Sequence, residues 1–488
     1  MLRSTISKPT SPAPMAAKPE RLAGWVKDSG NQALMATLVF LLFLRVVIPG
    51  FFDYGHDEHQ GENDGFATNQ LVWLSLLFIP LVLLRARLKL AWSLIRSLNG
   101  FSVALTVYAC ASILWSIDPG ATERKLFHLL TMYLVCAAAC LIGWHPRRFQ
   151  EVLRPILTIL LVGSLIFGLV RPDLAISAPD LSLGETAYYW RGLANQKNGL
   201  GSLASFGLIF WFHAWISKET KSIYALCGIA ASAACLYLSG SSTSLLATSF
   251  TMLVLLAVRF MPRGLRPCMP YVIAVVAAGI MCYGLAVLKL VPGLDSLVSS
   301  ITSSVGKDTT FTGRTGIWNL VKEHIQLSPV FGSGYGAFWT GPVVSSASYV
   351  FLKRLFFYPW ESHEGYLEIV NDLGYVGLAL LLGLIATYLS LSFRLLKIDR
   401  SQASLYIGLL LYELLANLAE STWLTVGPSW LIIAFAIIAL SRELLDRRLR
   451  ATLRNPTASA AASEPGADDR PFATRSQLRS SSGRRGPD

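Results

Sequence analysis

Four stretches of this sequence carry side chains that together could hold an anion and move a proton. The first is Arg191-Gly192-Leu193-Ala194-Asn195-Gln196-Lys197-Asn198-Gly199-Leu200-Gly201. Cations and carboxamides crowd there beside glycines that let backbone approach closely. An anion with several oxygens suits such a cluster: arginine offers a planar fork to phosphate, lysine a point charge. The alternative is a solvated loop capped by cations. The second stretch is Thr312-Gly313-Arg314-Thr315-Gly316. Ile317, Leu320, Val321 and Ile325 follow at the spacing of one helix face. Thr312 is the predicted N-cap and Pro329 follows the predicted end, so Arg314 belongs to a first turn whose free N–H groups favour an anion.

The third stretch, Gly332-Ser333-Gly334-Tyr335-Gly336-Ala337-Phe338-Trp339, is a turn-rich aromatic run. It reads either as a surface that faces a sugar ring, with Tyr335 as the binding ring, or as a turn anchored by its aromatics. The fourth is Trp360-Glu361-Ser362-His363-Glu364-Gly365-Tyr366-Leu367-Glu368. A neutral imidazole at His363 could accept a proton near physiological pH. Glu364, Glu368 and Asp372 follow on one helix face, and Glu413, Asn417 and Glu420 repeat the theme in the next apolar segment. Carboxylates in apolar segments face a bundle interior or a wet cavity and are functional by default. Glu368, Glu420, Asn198, Lys197 and Tyr335 are therefore candidate substrate-binding residues.

The elements that must position these residues are membrane helices. Apolar runs lie near 33–49, 69–84, 99–115, 125–143, 152–170, 199–216, 222–238, 243–260, 270–290, 366–391, 404–420 and 426–440. A hydrocarbon core about 30 Å thick needs roughly 20 helical residues, or about 17 at the short end. The hydrophobic fraction of 53% with 15% charge agrees. The expected fold is all-α and polytopic, with about twelve transmembrane helices and a large external loop between the ninth and tenth. Residues 1–32 are expected to be a disordered tail, 33–290 the first nine helices, 291–365 the loop subdomain and 366–440 the last three helices. Residues 441–488 are expected to be a basic, disordered tail.

The net charge of +12 would fit nucleic acid, but its distribution argues otherwise. Basic residues fall in alternate loops: Arg85, Arg87, Lys89 and Arg96; Arg147 and Arg148; Lys218 and Lys221; Arg259, Arg263 and Arg266; Arg394, Lys397 and Arg400; Arg442, Arg447, Arg448 and Arg450. The loop at 50–68 holds Asp53, Asp57, Glu58, Glu62 and Asp64 without a lysine or arginine. The positive-inside rule puts the basic loops and both termini in the cytoplasm. All four chemical stretches then face the outside.

The remaining polar residues are assigned plainer roles. Of the seven cysteines, Cys268 is expected in a cytoplasmic loop and the others within spans, so no disulfide framework is implied. Cys136 and Cys140 share a helix face and are read as packing. His56-Asp57-Glu58-His59 lacks the spacing of a helical zinc motif and reads as a solvated acidic loop. Arg45 is expected to snorkel, and His128 and His213 to bond within the bundle.

RGLANQKNGLG, TGRTGIW followed by SPVFGSGYGAFW, and SHEGYLEIVNDLGYVG resemble, in this order, the O-antigen ligase superfamily, which includes the exopolysaccharide repeat-unit polymerases. NLAEST, at the end of the eleventh segment, adds a weaker match, and the resemblance covers about residues 33–440. It implies a metal-independent glycosyltransferase without a cofactor, working on the periplasmic face of a bacterial inner membrane. The implied donor is an oligosaccharide on undecaprenyl diphosphate, drawn from the surrounding membrane lipid. On this chain, Arg191 and Arg314 look like the cations that hold the diphosphate, with Lys197 assisting. His363 looks like the group that orients or deprotonates the attacking hydroxyl. The motif versions resemble the polymerase branch, whose partners would include a chain-length regulator and a repeat-unit flippase. Two alternatives stay open: a ligase that transfers the glycan to lipid A core, and a transporter that forms no bond.

Overall fold

A computed structural model describes residues 29–48, 67–177, 188–287 and 314–454, and it is almost wholly helical. All twelve apolar segments become helices. These are α1 (Ser29–Val47), α2 (Ala67–Arg85) with α3 (Leu88–Ser97), α4 (Gly100–Ala111), α5 (Pro119–Leu141), α6 (Arg148–Val170), α7 (Lys197–Ile216), α8 (Ser222–Ser239), α9 (Ser242–Phe260) and α10 (Met269–Val287). The predicted amphipathic helix is α11 (Thr315–Ile325), and α12 (Gly365–Leu396), α13 (Arg400–Ala416) and α14 (Pro428–Arg454) follow it. Among the described residues one two-residue hairpin, β1 (Ile176–Ser177) with β2 (Tyr189–Trp190), is the only sheet. Residues as far as Leu444 form one compact unit; a second begins at Leu445, where Arg450 pairs with Asp446 at 2.7 Å.

Nine helices among the described residues are long and apolar enough to cross a membrane, or ten with the bent pair α2–α3 counted as one span. The other two expected spans are helices as well, but shorter ones. The axes of that pair differ by 107°. The segment expected at 99–115 is a 12-residue helix, capped at its start by Asn99 through the Phe101 N–H and continued at its end by a 3₁₀ turn. The segment expected at 404–420 is a 17-residue helix, α13, that starts early at an Asp399 cap and ends before Glu420. The molecule is an all-α, multi-pass membrane protein.

Its core forms where helices are apolar all round and therefore buried on every side. Phe149 of α6 meets Phe210 of α7 at 5.5 Å and Phe435 of α14 at 5.1 Å, and Phe206 meets Tyr412 at 4.8 Å. His128 and Arg45 take packing roles on the flank, stacking on Trp73 at 4.2 Å and sitting over its ring at 5.6 Å.

α7 and α13 run side by side with a polar cluster at each end. At one end the last turn of α7 meets the first turn of α13. His213 Nε2 lies 2.9 Å from the Ser401 carbonyl, Glu219 binds Arg154 at 3.0 Å, and Gln150 reaches Gln402 at 2.8 Å. Arg147 lies 4.0 Å from Glu219, and Arg400 stands within electrostatic range of Arg259 and Arg266. The basic loops therefore gather at this end. At the other end, about 30 Å along a helix of 20 residues, lie the residues with chemical promise. The acidic run His56–His59, Thr312, and both expected tails except the starts and ends of α1 and α14 fall outside the described residues.

Candidate functional site

The site begins with a break in α12. Gly374 has φ 64° and ψ −169°, which stops the hydrogen-bond ladder and frees groups on both sides. Such backbone is tolerated in a membrane protein where other protein groups satisfy it. The segment after Pro329 does so. Ser333 N–H donates to the Asn371 carbonyl at 3.0 Å and Gly334 N–H to that of Asp372 at 2.9 Å. Beyond the break, Tyr375 N–H donates to the Pro329 carbonyl at 2.9 Å and Val376 N–H to that of Val330 at 3.3 Å. A Cβ on Gly374 would sit 2.2 Å from the Val330 oxygen. The large loop is thus stitched into a span through its main chain.

Residues 332–339 of the inserted segment are buried. Tyr335 is 6% exposed and its hydroxyl donates to the Leu424 carbonyl at 2.5 Å. Its burial fits the reading in which the aromatics anchor the loop. Trp339 packs on Phe351 at 4.9 Å, and Gly336 N–H donates to the Asp372 carboxylate at 2.7 Å.

Upstream, two tight turns lock together at the mouth of α12 and α13. Ser362, fully buried, is the pin. Its N–H donates to Glu368 Oε2 at 3.0 Å, its hydroxyl to the Glu364 carbonyl at 2.8 Å, and its carbonyl accepts from Trp318 Nε1 at 3.1 Å. Its hydroxyl also meets that of Ser421 at 3.1 Å. Glu364 caps α12 by accepting from Leu367 N–H at 2.6 Å. Gly365 N–H donates to the Asn417 carbonyl at 2.9 Å, and a side chain on Gly365 would strike Asn417 Oδ1. Asn417 Oδ1 in turn accepts from Thr422 N–H at 2.9 Å and Trp423 N–H at 3.1 Å. Glu368 thus holds the turn that carries His363.

Arg314 closes the assembly from a third element. It occupies the N-cap of α11 in place of the expected Thr312; Ile317, Leu320, Val321 and Ile325 are buried as the spacing predicts, and Trp318 is buried beside them. Its guanidinium donates to the carbonyls of Ala419 and, at 3.4 Å, of His363, and reaches Glu420 Oε1 at 3.3 Å. Asn198, in the first turn of α7, donates to the same Glu420 oxygen at 2.8 Å. His363 Nδ1 lies 2.9 Å from Glu361 Oε1. Burial disfavours the charged imidazole and Arg314 adds to that, but Glu361 and then Glu420 outweigh both. The imidazole is held above its ordinary value.

Four predicted residues, Arg314, His363, Glu420 and Asn198, are therefore brought into one contact network from α7, α11 and the two turns. Arg191 is buried beside the hairpin: its Nε donates to the Leu174 carbonyl at 2.8 Å and its N–H to that of Ala175 at 2.9 Å. Lys197 opens α7 with its ammonium 4.3 Å from the centre of the Tyr189 ring. Sequence reasoning passed over Glu361, although a carboxylate two residues before a histidine in a turn was a usable signal.

Among the described residues, Glu361, His363 and Glu420 also form the one group that could ligate a metal, their candidate atoms within 4.8 Å of one another. Glu420 already serves Arg314 and Asn198. A separate cavity of about 500 Å³ lies against the inserted segment, lined by Trp115, Ile117, His324, Phe331, Ser333 and Asn371. It shares no lining residue with the network.

Two comparisons give this geometry a context. The model of the family described as O-antigen ligase matches residues 227–382, which hold Arg314, Glu361, His363 and the break in α12. The exopolysaccharide production protein ExoQ of Rhizobium meliloti (strain 1021) is 29% identical over 323 residues, 63% of this chain and 69% of that protein. In motif order, in its helical fold and in these two matches, the chain is similar to the O-antigen ligase family and to ExoQ.

Proposed function

We propose that this protein is a glycosyltransferase that joins undecaprenyl-diphosphate-linked oligosaccharide repeat units into exopolysaccharide on the outer face of the inner membrane. The observation that carries the reading is the meeting of Arg314 with the turn of His363. One supplies fixed positive charge, the other a base, and two carboxylates tune both. In the reaction an acceptor hydroxyl oxygen bonds to the anomeric carbon of the donor. The bond from that carbon to the diphosphate oxygen breaks, its electron pair leaves with undecaprenyl diphosphate, and the hydroxyl proton passes to His363. Arg314, with Arg191 and Lys197, stabilises the charge developing on the leaving group, where preorganised donors act most strongly.

The name of the ExoQ relative favours polymerisation over transfer to lipid A core. Purified protein given carrier-linked repeat units alone should build a ladder and release undecaprenyl diphosphate. A product formed only when lipid A core is supplied would establish the ligase instead, and absence of any new glycosidic bond would favour a transporter. Turnover should survive excess chelator. Loss on chelation with recovery in magnesium would transfer the role of the arginines to a cation at Glu361, His363 and Glu420. The chain-length regulator and the repeat-unit flippase belong to the same proposal as neighbours in the membrane.

The orientation is tested separately. In a cysteine-free background, Ser345→Cys should react with a membrane-impermeant thiol reagent in intact cells, and Lys221→Cys only after permeabilisation. The reverse pattern would turn the site to the cytoplasm and end the proposal.

A further inference from the structure

His363 does not stand on an ordinary loop. Trp360 has φ 59° and His363 φ 53°, a left-handed conformation that side-chain-bearing residues adopt only under constraint. Ser362, between Glu361 and His363, is fixed on all sides by Glu368, Glu364, Trp318 and Ser421. Glu361 N–H donates to the Pro359 carbonyl at 2.8 Å. With the central residue pinned inward, its two neighbours project together, and Glu361 Oε1 and His363 Nδ1 stand 2.9 Å apart.

From this geometry we infer that Glu361 is the positioning residue of a carboxylate–histidine pair, fixing the proton on His363 Nδ1 so that Nε2 takes the proton of the attacking sugar hydroxyl. The inference rests on the glycosyl transfer proposed above and adds a residue to it. The step balances without a further reactant. The hydroxyl proton moves to Nε2 as the carbon–oxygen bond forms, Glu361 stays ionised beside the imidazolium, and the proton is later lost to water. A base oriented by a third group is a general arrangement for activating a hydroxyl. The charged groups facing the ring are Glu361 from its own turn, Glu420 from the turn after α13 and Arg314 from the start of α11. Asn198 and Arg314 hold Glu420, whereas Glu361 Oε1 stands 2.9 Å from the imidazole Nδ1.

The test uses purified full-length protein and two readouts. The first is the pH dependence of His363 acylation by diethylpyrocarbonate, read by peptide mass spectrometry without substrate. The second is turnover of carrier-linked repeat units against pH. An opposite charge at this distance favours the protonated ring, so neutralising it lowers the ring's pKa. Glu361→Gln should move the acylation midpoint down by about one pH unit. It should also carry the acid limb of kcat to lower pH and reduce kcat about 10–100-fold, with KM little changed. Glu361→Asp should recover part of both if the charge matters, and it guards against misfolding of the first variant. An unchanged midpoint, or an unchanged kcat in Glu361→Gln, would overturn the inference. Failure of the functional reading is distinguishable: the wild-type protein would make no polymer, while acylation of His363 would still report whether Glu361 governs the ring.

Discussion

Two clusters built from an arginine, a glutamate and a histidine sit at opposite ends of α7 and α13, and they differ in how closely the protein encloses them. At the end where the basic loops gather, the Arg154 and Glu219 side chains are 9% and 3% exposed and His213 is 1% exposed. At the other end the corresponding values are 26% for Arg314, 15% for Glu420 and 22% for His363. The first cluster bonds inward, to Gln150, Gln402 and Ser401, and joins three helices. The second is built from turns and a helix cap and keeps surface that a substrate can reach. Similar residues thus make a clamp where they are sealed and, on the proposed function, a site where they are open.

Several substitutions would break this contrast if it is wrong. The largest effect is expected at the open cluster: Arg314→Ala or His363→Ala should each lower turnover by about 10²–10⁴-fold while leaving insertion and melting temperature near wild type. Arg314→Lys should also be impaired, since lysine cannot offer the same fork. At the sealed cluster the order of effects reverses. Arg154→Ala leaves a buried carboxylate without its main partner, a change that costs about 3–5 kcal/mol. Thermal unfolding in detergent should show that loss, and turnover per folded molecule should stay near wild type.

A third substitution tests the stitched break between the two ends. Gly374→Ala puts a Cβ 2.2 Å from the Val330 oxygen at a positive φ, so the inserted segment has to move. Stability should fall by about 1–3 kcal/mol, with proteolysis appearing first in the segment after Pro329. The smallest effect belongs to Tyr335→Phe. It removes one hydrogen bond, worth about 1 kcal/mol, and because the ring is buried the KM for the saccharide should not change. A raised KM with unchanged stability would restore the sugar-facing reading.

How much of this was legible in the sequence follows from the range of each signal. The helices were readable because apolar periodicity is local, and the stripe through Ile317, Leu320, Val321 and Ile325 is buried as it foretold. The start of α13 was not, since the side-chain cap at Asp399 sets it ahead of the apolar run, and neither was the change to a 3₁₀ turn that ends α4. Arg314, His363, Asn198 and Glu420 were legible as chemistry-bearing types, but their meeting depends on turns pinned by Ser362 and Asn417. The break at Gly374 was hidden, because a glycine within an apolar run does not announce which distant backbone will fill the gap. The role of Tyr335 stayed open between two readings for the same reason: composition shows an aromatic, and burial depends on the partner.

The central claim is that the chemistry belongs to the open cluster. The most direct measurement compares His363→Gln and His213→Gln, purified in parallel, for turnover of carrier-linked repeat units per folded molecule. The account predicts that the His363 variant loses polymer formation by at least about 10²-fold, while the His213 variant, whose ring bonds the Ser401 carbonyl at the far end, keeps nearly all of it. Equal activity in the two variants, or loss confined to His213, would contradict it.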